Sequence, residues 1–385
     1  MRIQTRFFAL LLLSCALPVQ AGDGRVLSYA RPDAAAMSGT AIEQAVALYR
    51  AAVARDDIRG AVLFAARHGK IVLHEAVGWR HLGYRLPMEK DTLFRMASNT
   101  KPVVATAALI LVEEGRLGLE ERVSKYFESF QNAKSRAITL YQLLTHTSGF
   151  RIRPILYPFE AKDGPPTLRA AVDKFGREGP EAEPGATYSY SNAGFNTAGA
   201  LIEHAAGMPL EEFLKSRIYA PLGMTDTSNR EDAAKLQRMA TVYRGSRGAD
   251  GRITFKAEYT PGDPPDFPVV RASGGMISTA LDYAKFLQMY LDGGHYGGAR
   301  ILSAESIKKA TSLLVKQGQG PKSPWYGLGW AVAESGVYSH GGSDGTMAWV
   351  DPARDLLVLA FTQSPGGKNP SAQFLELVQA ACLER

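Results

Sequence analysis

The stretch "FRMASNTKPVVATAALILVEEG" (residues 94–115) predicts a buried helix that carries one charged residue near its start. Proline is tolerated only in a first turn, so the helix should begin just before Pro102, and Gly115 suits its end. Between Pro102 and the two final glutamates only Thr106 is polar, which is typical of a helix enclosed by a core. Because burying an ammonium group costs free energy, Lys101 needs a partner or a chemical task.

Ser98 is the candidate partner of this lysine. A helix that starts at Ser98 or Asn99 places the Ser98 hydroxyl and the Lys101 amine on one face, because residues three apart are neighbours. Burial lowers the pKa of a lysine from about 10.4, so the neutral amine can accept a proton. The helix N-terminus would stabilise negative charge developing at the serine. The alternative is a lysine that reaches the surface beside a capping serine.

The Ser-x-x-Lys spacing is a weak signal by itself, because the chain contains it twice. The second copy, Ser306 to Lys309, lies in "LSAESIKKATSLL", which predicts a helix with an exposed charged face. A lysine needs no explanation there, and Ser303 or Ser306 suits a helix cap. Only the first copy is therefore a candidate for catalysis.

A rival nucleophile is Ser343, in "GGSDG" (residues 341–345), which fits the Gly-x-Ser-x-Gly elbow. That arrangement needs its acid and then its histidine downstream of the serine. The last histidine of the chain is His340. The order excludes an elbow of this kind.

Metal, nucleotide and nucleic-acid sites are not indicated. His68, His74 and His81 are spread over two predicted strands and a loop, without metal-ligand spacing, and suit structural positions. No phosphate-binding loop follows a strand. The formal charge of +6 is scattered rather than clustered, as in ordinary protein surfaces. We therefore expect no metal, no cofactor and no nucleic-acid partner.

The first 21 residues, "MRIQTRFFALLLLSCALPVQA", predict an export signal: basic residues, a short apolar run and a small-x-small end. Cleavage is expected between Ala21 and Gly22, which places the mature protein in the periplasm or outside the cell. No later stretch is comparably apolar, so no transmembrane segment is expected in the mature chain. Lipidation at Cys15 is a less favoured alternative. Cys382 alone would remain, so no internal disulfide is expected.

The element pattern predicts an α/β (α+β) fold. Residues 60–78 predict a hairpin of two strands joined at His68-Gly69, and helices and loops follow. Strand-like runs return near the C-terminus, the first of them "YGLGWAVA". An antiparallel sheet built from both chain ends and flanked by helices should therefore pack beside a mostly helical lobe. We assign 22–97 plus 258–385 to the sheet lobe and 98–257 to the helical lobe, together forming one catalytic domain with the active site between them.

Two aperiodic Pro/Gly/aromatic stretches, residues 151–166 and 257–270, are too long for simple connections. Loops of this kind often wall a binding cleft, and Tyr157 and Phe159 are candidate wall residues. They could equally be surface elaborations.

Three motifs in order resemble the serine β-lactamase and penicillin-binding-protein superfamily, in particular its class C-like branch of D,D-peptidases, D-aminopeptidases and carboxylesterases. The motifs are Ser98-Asn99-Thr100-Lys101, Tyr190-Ser191-Asn192 and His340-Gly341-Gly342. The phrases "LLTHTSGF", "GGMISTALDYAKFL" and "YGLGW" also look like that branch. The resemblance spans nearly all of the mature chain.

This resemblance implies a cofactor-free acyl-enzyme mechanism. Ser98 would attack a carbonyl, while Lys101 and Tyr190 would share the removal and return of its proton. Coupled titration of the two groups leaves the identity of the base open. Tyr188 could replace Tyr190, although the third residue from it is not asparagine.

The resemblance also implies the substrate contacts. Asn192 would hold Lys101 and contact the carbonyl side of the substrate. The backbone N–H groups of Ser98 and Ser343, the latter following His340-Gly341-Gly342, would form the oxyanion hole. Three positions have a structural alternative: Tyr190 as a buried core tyrosine, Asn192 as a turn or cap, and Gly341-Gly342 as a bulge.

His340 departs from the lysine that many β-lactamases carry at this place. Histidine, with a pKa near 6.5, would be only partly charged at neutral pH and a weaker carboxylate anchor. We therefore expect hydrolysis of esters or D-amino-acid amides, with a β-lactamase or D,D-carboxypeptidase as the alternative. A weakly catalytic protein that binds or senses cell-wall peptides or β-lactams is an alternative of another class. The partner is a small-molecule or peptide-like substrate, whose identity and the oligomeric state stay open.

Overall fold

The computed structural model describes residues 24–152, 166–264 and 269–383. The predicted signal, with Cys15, and the candidate wall residues Tyr157 and Phe159 lie outside the described residues. The described helices are α1 (Gly39–Ala54), α2 (Thr100–Glu113), α3 (Leu140–Leu144), α4 (Leu168–Glu178), α5 (Asn192–Ala206), α6 (Leu210–Leu214), α7 (Ala280–Leu291), α8 (Ala304–Ala310) and α9 (Ser371–Ala380).

The strands from the two chain ends form one large sheet. In chain order the strands are β1 (Ser28–Tyr29), β2 (Gly60–Arg67), β3 (Lys70–His81), β4 (Leu86–Pro87), β5 (Phe94–Arg95), β6 (Val242–Arg247), β7 (Ile253–Tyr259), β8 (Ile277–Ser278), β9 (His295–Tyr296), β10 (Ala299–Arg300), β11 (Val315–Lys316), β12 (Trp325–Tyr326), β13 (Ala331–Val332), β14 (Tyr338–Gly341), β15 (Thr346–Asp351) and β16 (Leu356–Thr362). The order in the large sheet is β1-β3-β2-β16-β15-β14-β13-β12-β11, with β4 beside β3. All pairs are antiparallel except β1 with β3. The predicted fold class is confirmed.

Helices cover both faces of this sheet. Alternate residues of β2 and β16 face the cluster that contains α1 and α9, and the residues between them face the larger core with α2, α5 and α7. Strands covered on both faces are apolar throughout, which explains the continuous hydrophobic runs of β2 and β16. Helix α2 thus packs in the larger core, which we call the inner layer; the cluster with α1 and α9 on the other face of the sheet is the outer layer. Across the described residues, none of the helices is both long and apolar enough to cross a membrane.

The helix predicted at the opening stretch is α2. A 3-10 turn over Ala97–Asn99 precedes it, and every residue from Thr100 to Leu111 is buried. The chain leaves the helix through Gly115 at φ +69°, a conformation that glycine adopts without strain. The predicted β2–β3 hairpin is also present, with His68 and Gly69 both at positive φ.

Two parts of the chain differ from the sequence-based expectation. The hairpin β6–β7 was not anticipated, and its second strand includes residues 257–259, which were assigned to an aperiodic loop. This hairpin also runs across the expected lobe boundary at residue 257, and the division into lobes stays a prediction. The run "YGLGWAVA" is not one strand, because the chain turns at Gly329, φ +82°, between β12 and β13.

Candidate active site

Ser98 sits in the 3-10 turn at the start of α2, partly exposed to solvent. The residue before it, Ala97, has φ +43°, an unusual backbone conformation for a residue with a side chain. Thr346 fixes this turn to the sheet, since its Oγ1 accepts from Asn99 Nδ2 at 2.9 Å and donates to Met96 O at 3.2 Å. The helix start is therefore held rigidly against β15.

Lys101 is completely buried beside Ser98. Its Nζ lies 3.0 Å from Ser98 Oγ, 3.0 Å from Asn192 Oδ1 and 2.7 Å from Ser273 O. All three partners are uncharged. Burial, assisted by the positive charge of Arg271, holds the pKa of Lys101 well below its usual value. This environment favours the neutral amine, which answers why a lysine is tolerated in this helix.

Tyr190, two residues before the first residue of α5, contacts the same serine. Its phenol hydrogen-bonds to the Ser98 side chain, and Lys101 Nζ lies 4.7 Å from its ring centroid. Burial raises the pKa of Tyr190 to about 12, so the phenol is protonated at neutral pH. Tyr188, the alternative, packs its ring on Tyr326 at 5.7 Å instead.

Asn192 is the first residue of α5, which Ser191 caps by accepting the Gly194 N–H at 3.0 Å. Its Oδ1 accepts from Lys101, and its Nδ2 donates to Ile152 O at 3.1 Å. The start of α5 thus faces the start of α2 across the site. The side-chain amide joins the two helices.

The His-Gly-Gly segment ends β14 beside the helix start. A Cβ built on Gly342 would clash with Thr346 and lie 2.5 Å from Met96 O, so only glycine allows this approach. The His340 side chain is buried, and both ring nitrogens have partners: Nδ1–H donates to Gly341 O at 2.9 Å and Nε2 accepts from Tyr326 Oη at 3.1 Å.

The expectation that His340 is partly charged at neutral pH is wrong. Burial, assisted by the nearby Lys101, lowers its pKa to about 3, so the imidazole is neutral. Both ring nitrogens are engaged, which also leaves neither free to activate Ser343. The Ser343 hydroxyl donates to Asp344 Oδ1 at 3.2 Å. This geometry agrees with the exclusion of a Gly-x-Ser-x-Gly elbow.

Ser98, Tyr190, Asn192 and Ser343 line one cleft of 490 Å³. The structure therefore brings Ser98, Tyr190, Asn192 and Ser343 together in this cleft, with Lys101 buried beside Ser98, whereas His340, Gly341 and Gly342 are not among its lining residues. Charged side chains that were not predicted line the same cleft: Arg95, Arg244, Glu258, Arg271 and Asp344. A second cavity of 350 Å³ adjoins it and shares Arg95, Tyr259, Arg271 and Gly274.

Sequence reasoning missed two further residues at the site. Ser273 supplies the carbonyl oxygen nearest to the Lys101 amine, and His146 packs under the Tyr190 ring at 4.2 Å. Neither belongs to a spacing pattern; the only signal was that His146 lies in "LLTHTSGF" and that Ser273 directly precedes "GGMISTALDYAKFL", two phrases typical of the resembled branch. Within the described ranges no group of His, Cys, Asp or Glu side chains could hold a metal ion.

Comparisons with known proteins identify the family of the chain. Protein Rv1367c of Mycobacterium tuberculosis is 30% identical over 356 residues, covering 80% of this chain and 86% of the relative. A putative D-alanyl-D-alanine carboxypeptidase of Escherichia coli K12 is 27% identical, covering 73% of this chain and 72% of its own.

Among solved structures, the D-amino acid amidase of Ochrobactrum anthropi SV3 superposes with a TM-score of 0.71 at 26% identity, covering 88% of this chain and 98% of the amidase. EstCE1, a hydrolase with promiscuous acyltransferase activity, has the same fold, with a TM-score of 0.73 at 24% identity over 90% of this chain and 99% of its own. The model of the Beta-lactamase family matches residues 45–381. The chain therefore belongs to the Beta-lactamase family of serine hydrolases.

Proposed function

We propose that this protein is an exported hydrolase that cleaves an ester or amide through an acyl-enzyme on Ser98. The substrate would be an ester, as for a carboxylesterase, or a D-amino-acid amide, and the leaving group of either carries no carboxylate. A D-amino-acid peptidase would use the same acyl-enzyme, with a peptide as its leaving group. The observation that supports this most is the buried Lys101 amine, which meets the Ser98 hydroxyl at 3.0 Å and has only uncharged hydrogen-bond partners.

Lys101 is the general base in this proposal. A neutral amine has two N–H groups, and Asn192 Oδ1 and Ser273 O can only accept. Donating to both leaves the nitrogen lone pair directed at the Ser98 hydroxyl. Ser98 Oγ then attacks the carbonyl carbon while its proton passes to Lys101.

Tyr190 returns the proton. Its raised pKa keeps it protonated, so it is a donor rather than a base in the resting enzyme. As the tetrahedral intermediate collapses, the phenol gives its proton to the leaving oxygen or nitrogen and is reprotonated from the Lys101 ammonium. Water later replaces the leaving group and releases the acid from Ser98 by the same steps in reverse.

The backbone N–H groups of Ser98 and Ser343 would bind the oxyanion. Both residues line the cleft, and the close contact of Gly342 with Met96 holds the two backbone segments next to each other. Donors of this kind are preorganised because both segments are fixed by Thr346. Removal of one such donor typically lowers kcat by about 10²- to 10³-fold.

The neutral, buried His340 supports an uncharged leaving group, because it offers no cation to a substrate carboxylate. One observation favours D,D-carboxypeptidase activity as a second candidate. Arg95, Arg244 and Arg271 line the cleft, and an arginine is well suited to a terminal carboxylate. The similarity to a putative D-alanyl-D-alanine carboxypeptidase points the same way.

The decisive experiment is intact-mass detection of acylation. Wild-type protein is mixed with short-chain esters, D-amino-acid amides, D-alanyl-D-alanine peptides and a cephalosporin, and turnover is measured beside the mass. Ser98→Ala should lose both turnover and labelling by a fluorophosphonate. Ser306→Ala removes the serine of the second Ser-x-x-Lys spacing, on α8, and should behave as wild type.

Each outcome of this panel is informative. Rapid turnover of esters or amides supports the proposal, and turnover of the D-alanyl peptide alone favours the second candidate. A lasting adduct without turnover indicates a sensor. A fully active Ser98→Ala protein would refute the assignment.

Export is tested separately from activity. Expression of the full chain in a bacterium, followed by N-terminal sequencing of the periplasmic or medium fraction, should find a mature protein that starts at Gly22. Protein that keeps residues 1–21 would contradict export. Lipid on Cys15 would instead contradict cleavage at Gly22 and support the lipoprotein alternative.

A further inference from the structure

His146 is a buried residue at the site with no assigned role. It lies in the turn after α3 and is fully shielded from solvent. Its φ of +60° places it in the left-handed region, which residues with side chains adopt infrequently. A strained, buried polar residue next to a reactive group calls for a physical reason.

The contacts of His146 converge on Tyr190. The Ser189 N–H donates to the main-chain oxygen of His146 at 2.7 Å, and the Ser191 N–H donates to its Nδ1 at 3.0 Å. The imidazole and phenol rings lie 4.2 Å apart. A single residue therefore holds the backbone on both sides of Tyr190 and supports the ring between them.

These contacts require one form of the imidazole. Because Nδ1 accepts from Ser191, the proton sits on Nε2, which has no hydrogen-bond partner within the described residues. The rings of Phe195 and Tyr326 pack against the imidazole, with their centroids 5.0 and 4.8 Å from the centroid of the His146 ring. A protonated Nδ1 would lose the Ser191 bond, and burial beside Lys101 keeps the pKa of His146 well below its usual value.

We propose that His146 is a positioning residue that holds the Tyr190 hydroxyl against Ser98. The φ of +60° directs both its carbonyl and its imidazole toward the Tyr190 segment, so this backbone conformation allows both hydrogen bonds to that segment. The inference rests on the proposed function, because it gives His146 a task only if Tyr190 transfers a proton. Misplacing a catalytic group by about 1 Å can cost about 100-fold in rate.

Two variants separate the functions of the side chain. Asparagine tolerates positive φ and can place Oδ1 where Nδ1 lies, so His146→Asn keeps the acceptor for Ser191. His146→Phe keeps a ring but leaves the Ser191 N–H buried without an acceptor. We expect kcat to fall about 10- to 100-fold in His146→Phe with KM nearly unchanged, and His146→Asn to recover most of the loss.

A double-mutant cycle with Tyr190→Phe identifies the route of the effect. If His146 acts through the Tyr190 hydroxyl, His146→Phe should change kcat less than about twofold once that hydroxyl is absent. Independent, multiplicative losses would overturn the proposal, as would a fully active His146→Phe protein. If His146→Phe does not fold, His146→Gly, which accepts the same φ, replaces it in the cycle.

A matched control accounts for general destabilisation. His74 is another buried histidine, bonded to Tyr29 and Lys90 outside the cleft. His74→Phe should lower Tm without changing kcat, and a loss of kcat equal to that of His146→Phe would contradict a specific role. If the wild-type protein is inactive, the proposed function itself is refuted. If the wild type is active but the losses of kcat in the double mutant multiply, only the role of His146 is refuted.

Discussion

Lys101 can accept a proton only while its amine is neutral, and burial favours that form. Lys101→Arg keeps a positive charge that cannot be removed, and Lys101→Met removes the base altogether. Both should lower kcat/KM by about 10²- to 10⁴-fold, the usual contribution of a general base. The measurement is steady-state kinetics on the best ester, with Lys309→Met of the second spacing as an unaffected control. An active Lys101→Arg would show that charge, and not proton transfer, is what the site needs.

The neutral His340 makes stability depend on pH. Its pKa of about 3 in the folded protein lies below the ordinary value of about 6.5, so the unfolded state binds more protons between these values. The free energy of unfolding should therefore fall as the pH drops below 6.5, by up to about 1.4 kcal/mol per pH unit for this group.

His340→Gln removes this titration and can still accept from Tyr326. Urea unfolding between pH 7 and pH 4 should show a smaller loss of stability in the variant. Equal slopes for variant and wild type would mean that His340 is charged in the folded protein.

At the level of the element, the end of β14 meets the start of α2 through one glycine. A methyl group on Gly342 would clash with Thr346 and Met96, whereas one on Gly341 has its nearest neighbour at 3.8 Å. Gly342→Ala should therefore separate the two segments, lowering kcat by about 10²-fold or more through the oxyanion hole. It should also lower the free energy of unfolding by about 1–3 kcal/mol.

Gly341→Ala is the matched comparison for stability. Its added methyl group would lie 3.8 Å from its nearest neighbour, an ordinary van der Waals contact, so urea unfolding should give nearly the wild-type free energy. If both alanines destabilise equally, close approach at Gly342 does not explain the loss.

The elements that were predicted well are those in which the run of apolar residues follows directly from the burial of the element. The apolar helix α2 and the apolar run of β2 are enclosed on all sides, so their composition shows it. The hairpin β6–β7 was missed because β6, "VYRGSR", shows no alternation, although β7, "ITFKAEY", alternates between apolar and polar residues. The two-residue strands β12 and β13 were read as one because glycines carry no burial pattern.

The site likewise contains features that local sequence predicts and features that depend on contacts between distant parts of the chain. Motif order predicted that Ser98, Lys101 and Tyr190 meet, and the structure brings them together. The neutral state of His340 could not be predicted, because it depends on Tyr326 and the fold around it. His146 was not identified because its contacts join turns that are 45 residues apart in sequence.

At the scale of the whole molecule, the sheet separates an inner layer that holds the site from an outer layer that only covers the sheet. Phe361 of β16 is in the inner layer, fully buried, with its ring 5.6 Å from Phe94, four residues before Ser98. Phe374 of α9 is in the outer layer, equally buried, with its ring 5.2 Å from Tyr49. The two phenylalanines are therefore matched in burial and differ in their connection to the site.

Truncating either ring should cost a similar amount of stability, about 3–5 kcal/mol. Phe361→Ala should also lower kcat/KM of the folded protein, because Phe94 loses its support and the segment that carries Ser98 can shift. Phe374→Ala should leave kcat/KM unchanged at temperatures where it is folded. Unfolding curves and kinetics on the same samples separate the two effects, and an equal loss of kcat/KM in both variants would contradict the division into layers.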